Sequence, residues 1–239
     1  MKNISIKLLV CVVLSLFVTS CVVYHPHNVD IPLLHQKGEL EVDANCSMSF
    51  LRLDGSAFNA TVSYAPLNHV GVQVAASTSN KDSYFLQAAA GGFLPMGDNA
   101  VLEGYAGYGF GTSLHMTTMS LDDSYHEVRG HYNLYFGQVN VGSVDLLGGI
   151  LDFGIGFKGG LMVPNFERNL VKADGQTVFE EKHTDSHVLL QPQFVIRAGW
   201  QIVKLSFNLG YAYLTDWPET DNYYNYEHLS VGLGLHFDF

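Results

Sequence analysis

The sequence predicts an all-β chain that closes into one antiparallel transmembrane β-barrel of about ten strands, with eight as the alternative count. Three observations carry this. Apolar and polar residues alternate with a period of two through most of the 239 residues, and no helical period is sustained. The alternating runs span roughly 10 to 13 residues, the length of a tilted membrane-crossing strand, where soluble strands run to about 5–6. The connections alternate between tight and long, as they do when strands pass up and down across a bilayer.

The elements follow in order. Lys2 and Lys7 form a basic n-region and Leu8 to Val18 an apolar run, so residues 1–20 read as an export signal. The run is short of the about 20 apolar residues a membrane helix needs, and no later stretch is continuously apolar at that length. Val18-Thr19-Ser20-Cys21 resembles the lipobox of bacterial lipoproteins, in which the cysteine is cleaved at its amino side and acylated. Val22, where an Asp would retain the protein, favours delivery to the outer membrane. The acidic stretch that Bacteroidetes-type lipoproteins use for surface export is absent from Cys21-Val22-Val23-Tyr24-His25. The acyl chains are therefore expected in the inner leaflet.

Cys11 leaves with the signal and Cys21 is taken by lipid, so Cys46 has no partner and a disulfide framework is excluded. Removing residues 1–20 takes Lys2 and Lys7 and no acid, which leaves 10 bases against 23 acids, a net charge of −13. That balance argues against nucleic acid and against an anionic membrane surface as electrostatic partners. Residues 21–37 lack periodicity, contain Pro26 and Pro32, and read as a periplasmic tether, free or partly tucked against the periplasmic mouth, to a barrel over residues 38–239.

Strands are expected near 38–50, 56–65, 70–79, 83–94, 100–114, 127–143, 150–165, 186–199, 202–214 and 227–239. An even count puts both ends of the barrel on the tight-turn side, so both termini are expected to be periplasmic. Asp174-Gly175 is a type I′ hairpin signal. Pairing outward from it sets Val171 against Val178, Leu170 against Phe179, Arg168 against Glu181 and Glu167 against Lys182, a projecting hairpin with two facing ion pairs. The last stretch, LSVGLGLHFDF, keeps strict alternation to its final residue, with Leu229, Val231, Leu233, Leu235, Phe237 and Phe239 on one face.

Pro32 to Leu40, Tyr64 to Val72 around the first tight turn, and Leu190-Gln191-Pro192-Gln193-Phe194 resemble small outer-membrane β-barrel proteins, in particular lipid-anchored ones of Bacteroidetes. The resemblance implies architecture, outer-membrane lipid as surroundings, and dependence on the barrel-assembly and lipoprotein-transport machineries. It implies no activity and no cofactor. Phe237 and Phe239 resemble the carboxy-terminal aromatic signal read by that assembly machinery. A soluble lipocalin-like barrel is the architectural rival.

If the apolar faces meet lipid, the other faces line a lumen carrying Glu39, Glu41, Asp43, Asn45, Glu103, Tyr105, Asp152, Lys158, Gln191, Gln193, Arg197, Lys204, Ser206 and Asn208. A lumen this narrow is expected to be filled by paired charges; a narrow pore or small-solute site is the second reading. A third is a barrel enzyme using His and acid at the long-loop rim, where His115, Asp122, Asp123, His126, His131, His183, Asp185, His187, Glu227 and His228 fall. Neighbours on different strands, such as His131 with His187, could meet without thereby making a site, whereas the His183–His187 spacing of four does not bring imidazoles together on a strand or loop as on a helix. Solvated loop histidines, no metal and no catalysis are the expectation. Trp217 and the tyrosines 223, 224 and 226 are expected in an interfacial aromatic girdle, with a stacking platform for an extracellular ligand as the alternative. The leading function is a structural or surface-interaction barrel. Deleting Phe239 is expected to lower the membrane-inserted fraction, measured by heat-dependent gel mobility of membrane extracts; unchanged levels would remove its role as an assembly signal.

Overall fold

The computed structural model describes residues 23–49, 56–80, 82–118, 124–200, 202–218 and 223–239. The expected signal, Cys21, Asp122 and Asp123 lie outside them. The strands are β1 (Leu40–Ser49), β2 (Ser56–Leu67), β3 (Val70–Asn80), β4 (Ser83–Met96), β5 (Ala100–Thr118), β6 (Tyr125–Asp145), β7 (Leu151–Val171), β8 (Thr177–His183), β9 (His187–Gly199), β10 (Val203–Tyr211), β11 (Tyr213–Leu214) and β12 (Leu229–Asp238). Ten of them pair antiparallel around a closed barrel, β1 to β7, then β9, β10 and β12, with β12 returning to β1. The remaining two are short: β8 is the returning arm of a hairpin, and β11 pairs with the top of β9.

The period-2 pattern fixes which face each residue takes. Even-numbered residues of β5 such as Leu102 and Tyr108 face out, as do odd-numbered residues of β6 and β7 such as Val139, Val141, Ile155 and Phe157. Leu205, Phe207, Leu233 and Leu235 continue the belt, while Glu41, Asn45, Glu103, Asp152, Lys158, Gln191, Arg197 and Lys204 are buried inside. Apolar outside and polar inside is the reverse of a soluble barrel, and such an exterior suits hydrocarbon rather than water. The closing strand is as expected: Val42 faces Phe237 and Ala44 faces Leu235 across the seam, and Phe239 exchanges backbone hydrogen bonds with Leu40 at 3.0 and 3.1 Å.

The wall is uneven. β5, β6 and β7 have 19 to 21 residues, whereas β1, β2 and β3 have 10 to 12. Above the ring pair of Tyr108 and Tyr135 (centroids 5.3 Å apart) the outer face of the tall wall turns polar, with Asn133, His131, Arg129, Asn165 and Glu167. The hairpin rises from this side. Its charged pairs match expectation, Glu167 opposite Lys182 and Arg168 opposite Glu181, but at the tip Leu170 meets Val178 and Val171 meets Thr177. Only Gly175 has positive φ, and Lys172 and Gln176 close a loop of three residues, where a type I′ turn would leave two and need positive φ at both. A bulge between Arg168 and Asn169 then restores the expected register below.

One expectation fails outright. Residues 23–34 are not a tether outside the barrel; all twelve are buried, running inside the lumen from one mouth to the other. Val23 lies by Ser113 and Asn225 at the long-connection mouth, and Gly38 bonds Ala65 at the tight-turn mouth, where β1 starts. The first and last described residues, Val23 and Phe239, are thus at opposite ends of the barrel, not on the common side that strand counting implied. Counting strands registers only the wall, and an aperiodic segment that crosses the lumen reverses the result.

Glycines on the inner face make the room. A Cβ on Gly156 would meet Asn140 Oδ1 at 2.7 Å and side-chain carbons of Ile31 and Val29 at 2.9 Å, and one on Gly142 would meet Leu33 at 2.7 Å. Leu33 itself has φ +67°, a left-handed conformation that strains a non-glycine residue, held by complete burial. Gly156→Ala should lower unfolding stability in detergent by about 1–3 kcal/mol through overpacking. The outward Gly159→Ala, whose Cβ would have its nearest neighbour at 3.6 Å, should be neutral. Equal denaturant midpoints for the two variants would contradict the close packing of segment and wall.

Candidate functional site

From His27 to Gln36 the segment is not paired into the sheet, and side chains supply partners for its backbone. Gln193 brackets Val29: its amide oxygen accepts from the Val29 N–H (2.8 Å) and its NH2 donates to the Val29 carbonyl (3.0 Å). Gln191 donates to the His27 carbonyl at 2.6 Å, and Asn140 to that of Asp30 at 3.1 Å. Arg197 donates to the carbonyls of Ile31 and Pro32. Glu103 accepts from the Leu34 N–H at 2.9 Å, and Glu39 from the N–H groups of His35 and Gln36 at 2.7 and 3.1 Å. Pro26 and Pro32 bring no N–H that would need a partner.

Asp30 is the central anchor. Its carboxylate accepts from Thr61 of β2 and Gln87 of β4, and Gln87 in turn accepts from Lys158 of β7 at 3.2 Å. Lys158 also donates to the Asn28 carbonyl (3.4 Å) and sits 4.8 Å over the Phe136 ring. All the lumen-facing residues expected from the sequence do face inward, but four of the charged ones, Glu39, Glu103, Lys158 and Arg197, bond the segment. Lys204 with Asp152, at 2.7–2.8 Å, is the direct buried pair; Arg197 and Asp43 are 3.8 Å apart. A space beside the segment, between Asn28, Asp30, Asp43, Thr61 and Arg197, has a volume of about 20 Å³, room for a single water.

The long-connection mouth is closed by the stretch after β11. Trp217, Tyr224 and Tyr226 turn into the barrel and pack with Tyr24, Tyr132 and Phe166, so they form a lid and not the interfacial girdle expected of them. The lid is sewn to the segment: Val23 N–H donates to the Asn225 carbonyl (2.8 Å) and Glu227 N–H to that of Tyr24 (3.2 Å). Aromatic residues near a loop base read as girdle from composition alone; the exposed turn at Asp216, with φ +51°, immediately precedes the inward-packed Trp217.

The rim histidines separate. His131 faces out, stacked on Phe110, while His187 faces in, so these two do not meet. His183 and His187 do meet, against expectation, with Nε2 atoms 2.8 Å apart beneath Trp217. The four-residue spacing misleads because both flank a turn between strands that each pair with β7, at Phe166 and Met162. His187 Nδ1 lies 2.8 Å from the Thr215 carbonyl and must donate to it, leaving Nε2 to accept from His183. His126 lies 3.0 Å from Glu180, His115 2.8 Å from Thr117, and His228 stacks on Tyr226 and Tyr211. Asp185 is exposed. Among the described residues no three His, Cys, Asp or Glu gather as metal ligands would.

A further trio escaped the sequence reading. His25 Nε2 lies 3.1 Å from Ser47 Oγ, and its Nδ1 contacts the Glu227 carboxylate. The order Ser–His–Glu is that of a nucleophile triad. Ser47 is fully buried, though, and its Oγ also accepts from Asn59 at 3.0 Å, which leaves no face for a substrate carbonyl. The trio instead ties segment, wall and lid at one point.

No protein-family model and no curated protein matches this chain. Among solved structures it is similar to the translocator domain of the autotransporter NalP from Neisseria meningitidis (TM-score 0.46, 9% identity, covering 86% of this chain and 90% of that one). It is likewise similar to the KdgM porin (TM-score 0.39, 12% identity, 83% and 99%) and to the N-terminal β-barrel domain of Pseudomonas aeruginosa OprF (TM-score 0.37, 8% identity, 86% and 100%). At such identities no residue role transfers.

Burial holds the His183 imidazole below its ordinary pKa, and the neighbouring His187 adds to the shift. A histidine kept neutral in the fold contributes stability that is complete above its unfolded pKa of about 6.5 and is lost as pH falls below that value. In a Trp200→Phe background Trp217 is the sole indole. Its fluorescence should change as pH drops from 7 toward 5, and His183→Phe should flatten that change; an unaltered transition would assign it elsewhere.

Proposed function

We propose that the protein is a plugged, non-conducting outer-membrane lipoprotein barrel with a structural or surface-interaction role and no catalysis. The apolar belt and polar lumen support an outer-membrane position, with the tight turns and Phe239 on the periplasmic side. The observation that carries the plug is the burial of residues 23–34 along the full lumen, with backbone groups of His27, Val29, Asp30, Ile31, Pro32 and Leu34 bonded to the wall. A pore needs a continuous aqueous path, and a water-sized space beside Asp30 does not provide one.

What remains to interact is the outer surface. The hairpin of β7 and β8 stands above the belt, stiffened by Arg168 between Glu180 and Glu181 (both 3.1 Å), and it exposes Phe179 by 60% near its tip. An exposed aromatic on a braced hairpin suits contact with a partner outside the cell. Assembly and lipoprotein-transport machineries are the expected partners during biogenesis.

Purified full-length protein in planar bilayers should show no discrete single-channel openings; regular conductance steps would favour the pore reading. Assays with short-chain and long-chain esters should detect no turnover, and a turnover abolished by Ser47→Ala would convert the buried trio into an active site and overturn the non-enzymatic reading.

A further inference from the structure

The position of Val23 has a consequence for the modified end of the chain. We infer that the acyl chains on Cys21 enter the leaflet on the long-connection side of the barrel, the outer leaflet, with residues 23–34 threaded through the lumen behind them. The inference rests on the lipoprotein-barrel reading above and deepens it by assigning the membrane face of the anchor.

The geometry is set by described residues. Val23 is held at the long-connection mouth by two contacts from different elements, its N–H to the Asn225 carbonyl and its carbonyl to the Ser113 hydroxyl. Tyr24 forms a parallel bridge with Tyr226 and packs edge-on against Tyr132 at 5.1 Å. Further along, the segment is fixed at Asn28, Val29, Asp30 and Leu34 down to the opposite mouth. Cys21 is two residues ahead of Val23 in the sequence, and two peptide units reach at most about 7–8 Å. The tight-turn mouth is the height of a bilayer away, about 30 Å. An acyl group on Cys21 cannot reach the inner leaflet while Val23 holds this place.

The wall beside Val23 offers an exit. A small cavity at this point is shared by Val23 and His25 with Ala57, Ser77, Ser79 and Ser83, all at the upper ends of β2, β3 and β4. These strands have 11 to 14 residues against 19 to 21 for β5 to β7, so the wall beside this cavity is lower than the tall wall of β5 to β7. Small residues crown that low rim, and the outward residues just below it, Phe58, Val74 and Leu86, are exposed and apolar. A thioether-linked glyceride leaving over this edge meets the hydrocarbon-facing belt at once. The acidic export stretch missing from residues 22–25 is then unnecessary, because passage through the barrel itself carries the end across.

The test uses full-length protein in cells, carrying Val23→Cys and Ser113→Cys with Cys46→Ser, labelled with palmitate. Under mild oxidation the palmitate-labelled protein should form the internal disulfide, seen as a mobility shift without reductant. A second measurement places a short epitope after Val22 and, separately, in the turn at Gly97–Asp98. The first should bind antibody on intact cells, and the second only after permeabilisation. Palmitate confined to molecules without the disulfide, together with an amino-terminal epitope that needs permeabilisation, would overturn the threading while leaving the lipoprotein reading in place. Absence of palmitate from the wild-type chain, or its persistence in Cys21→Ala, would instead defeat the lipoprotein reading, and this inference with it.

Discussion

A polypeptide that crosses the inside of a barrel without joining its sheet must find a partner for each of its peptide groups, and this requirement organises the whole structure. Leaving a buried amide unpaired costs about 1–3 kcal/mol, so a dozen buried residues could not be held by apolar contact alone. The lumen meets the requirement with long polar side chains placed at the right heights: Gln191, Gln193, Asn140, Lys158, Arg197 and Glu103. Between these rungs, inner-face glycines let Val29, Ile31 and Leu33 lie against the wall. The polar lumen is therefore the complement of one particular segment and not a lining for solvent.

The wall was legible because a period of two is unambiguous over runs this long. Each lumen residue inferred from alternation does face inward, from Glu39 in the lead-in to β1 to Asn208 in β10. The charged rungs of the hairpin were legible for the same reason, since Arg168 with Glu181 and Glu167 with Lys182 depend on pairing, whereas the tip depended on a turn type that three residues in the loop replaced. What alternation could not show was anything that faces inward without being a strand. Residues 23–37 have no period, and their two prolines and isolated apolar side chains read equally well as a linker. The Trp217 lid failed for a related reason, because an aromatic side chain looks alike in a sequence whether it meets headgroups or fills a mouth.

The site differed in kind from the fold. His183 and His187 came together through two neighbouring strands, and His25, Ser47 and Glu227 through the segment, the wall and the lid. No spacing rule within one element reports contacts of that sort. They require the lumen crossing to be known first, and once it is known they follow from it.

The seam between β1 and β12 acquires a temporal meaning from the same geometry. The segment and β1 are consecutive, one inside the barrel and one in its wall, joined by the bend near Gly38. A finished cylinder whose two inner cavities described above are each about water-sized offers no ready passage to a chain end. The inner strand must therefore already be in place while β1 and β12 are still apart, and the sheet wraps around it. Closure of the last ladder then works as a knot drawn tight, and what it encloses stays enclosed for the life of the fold.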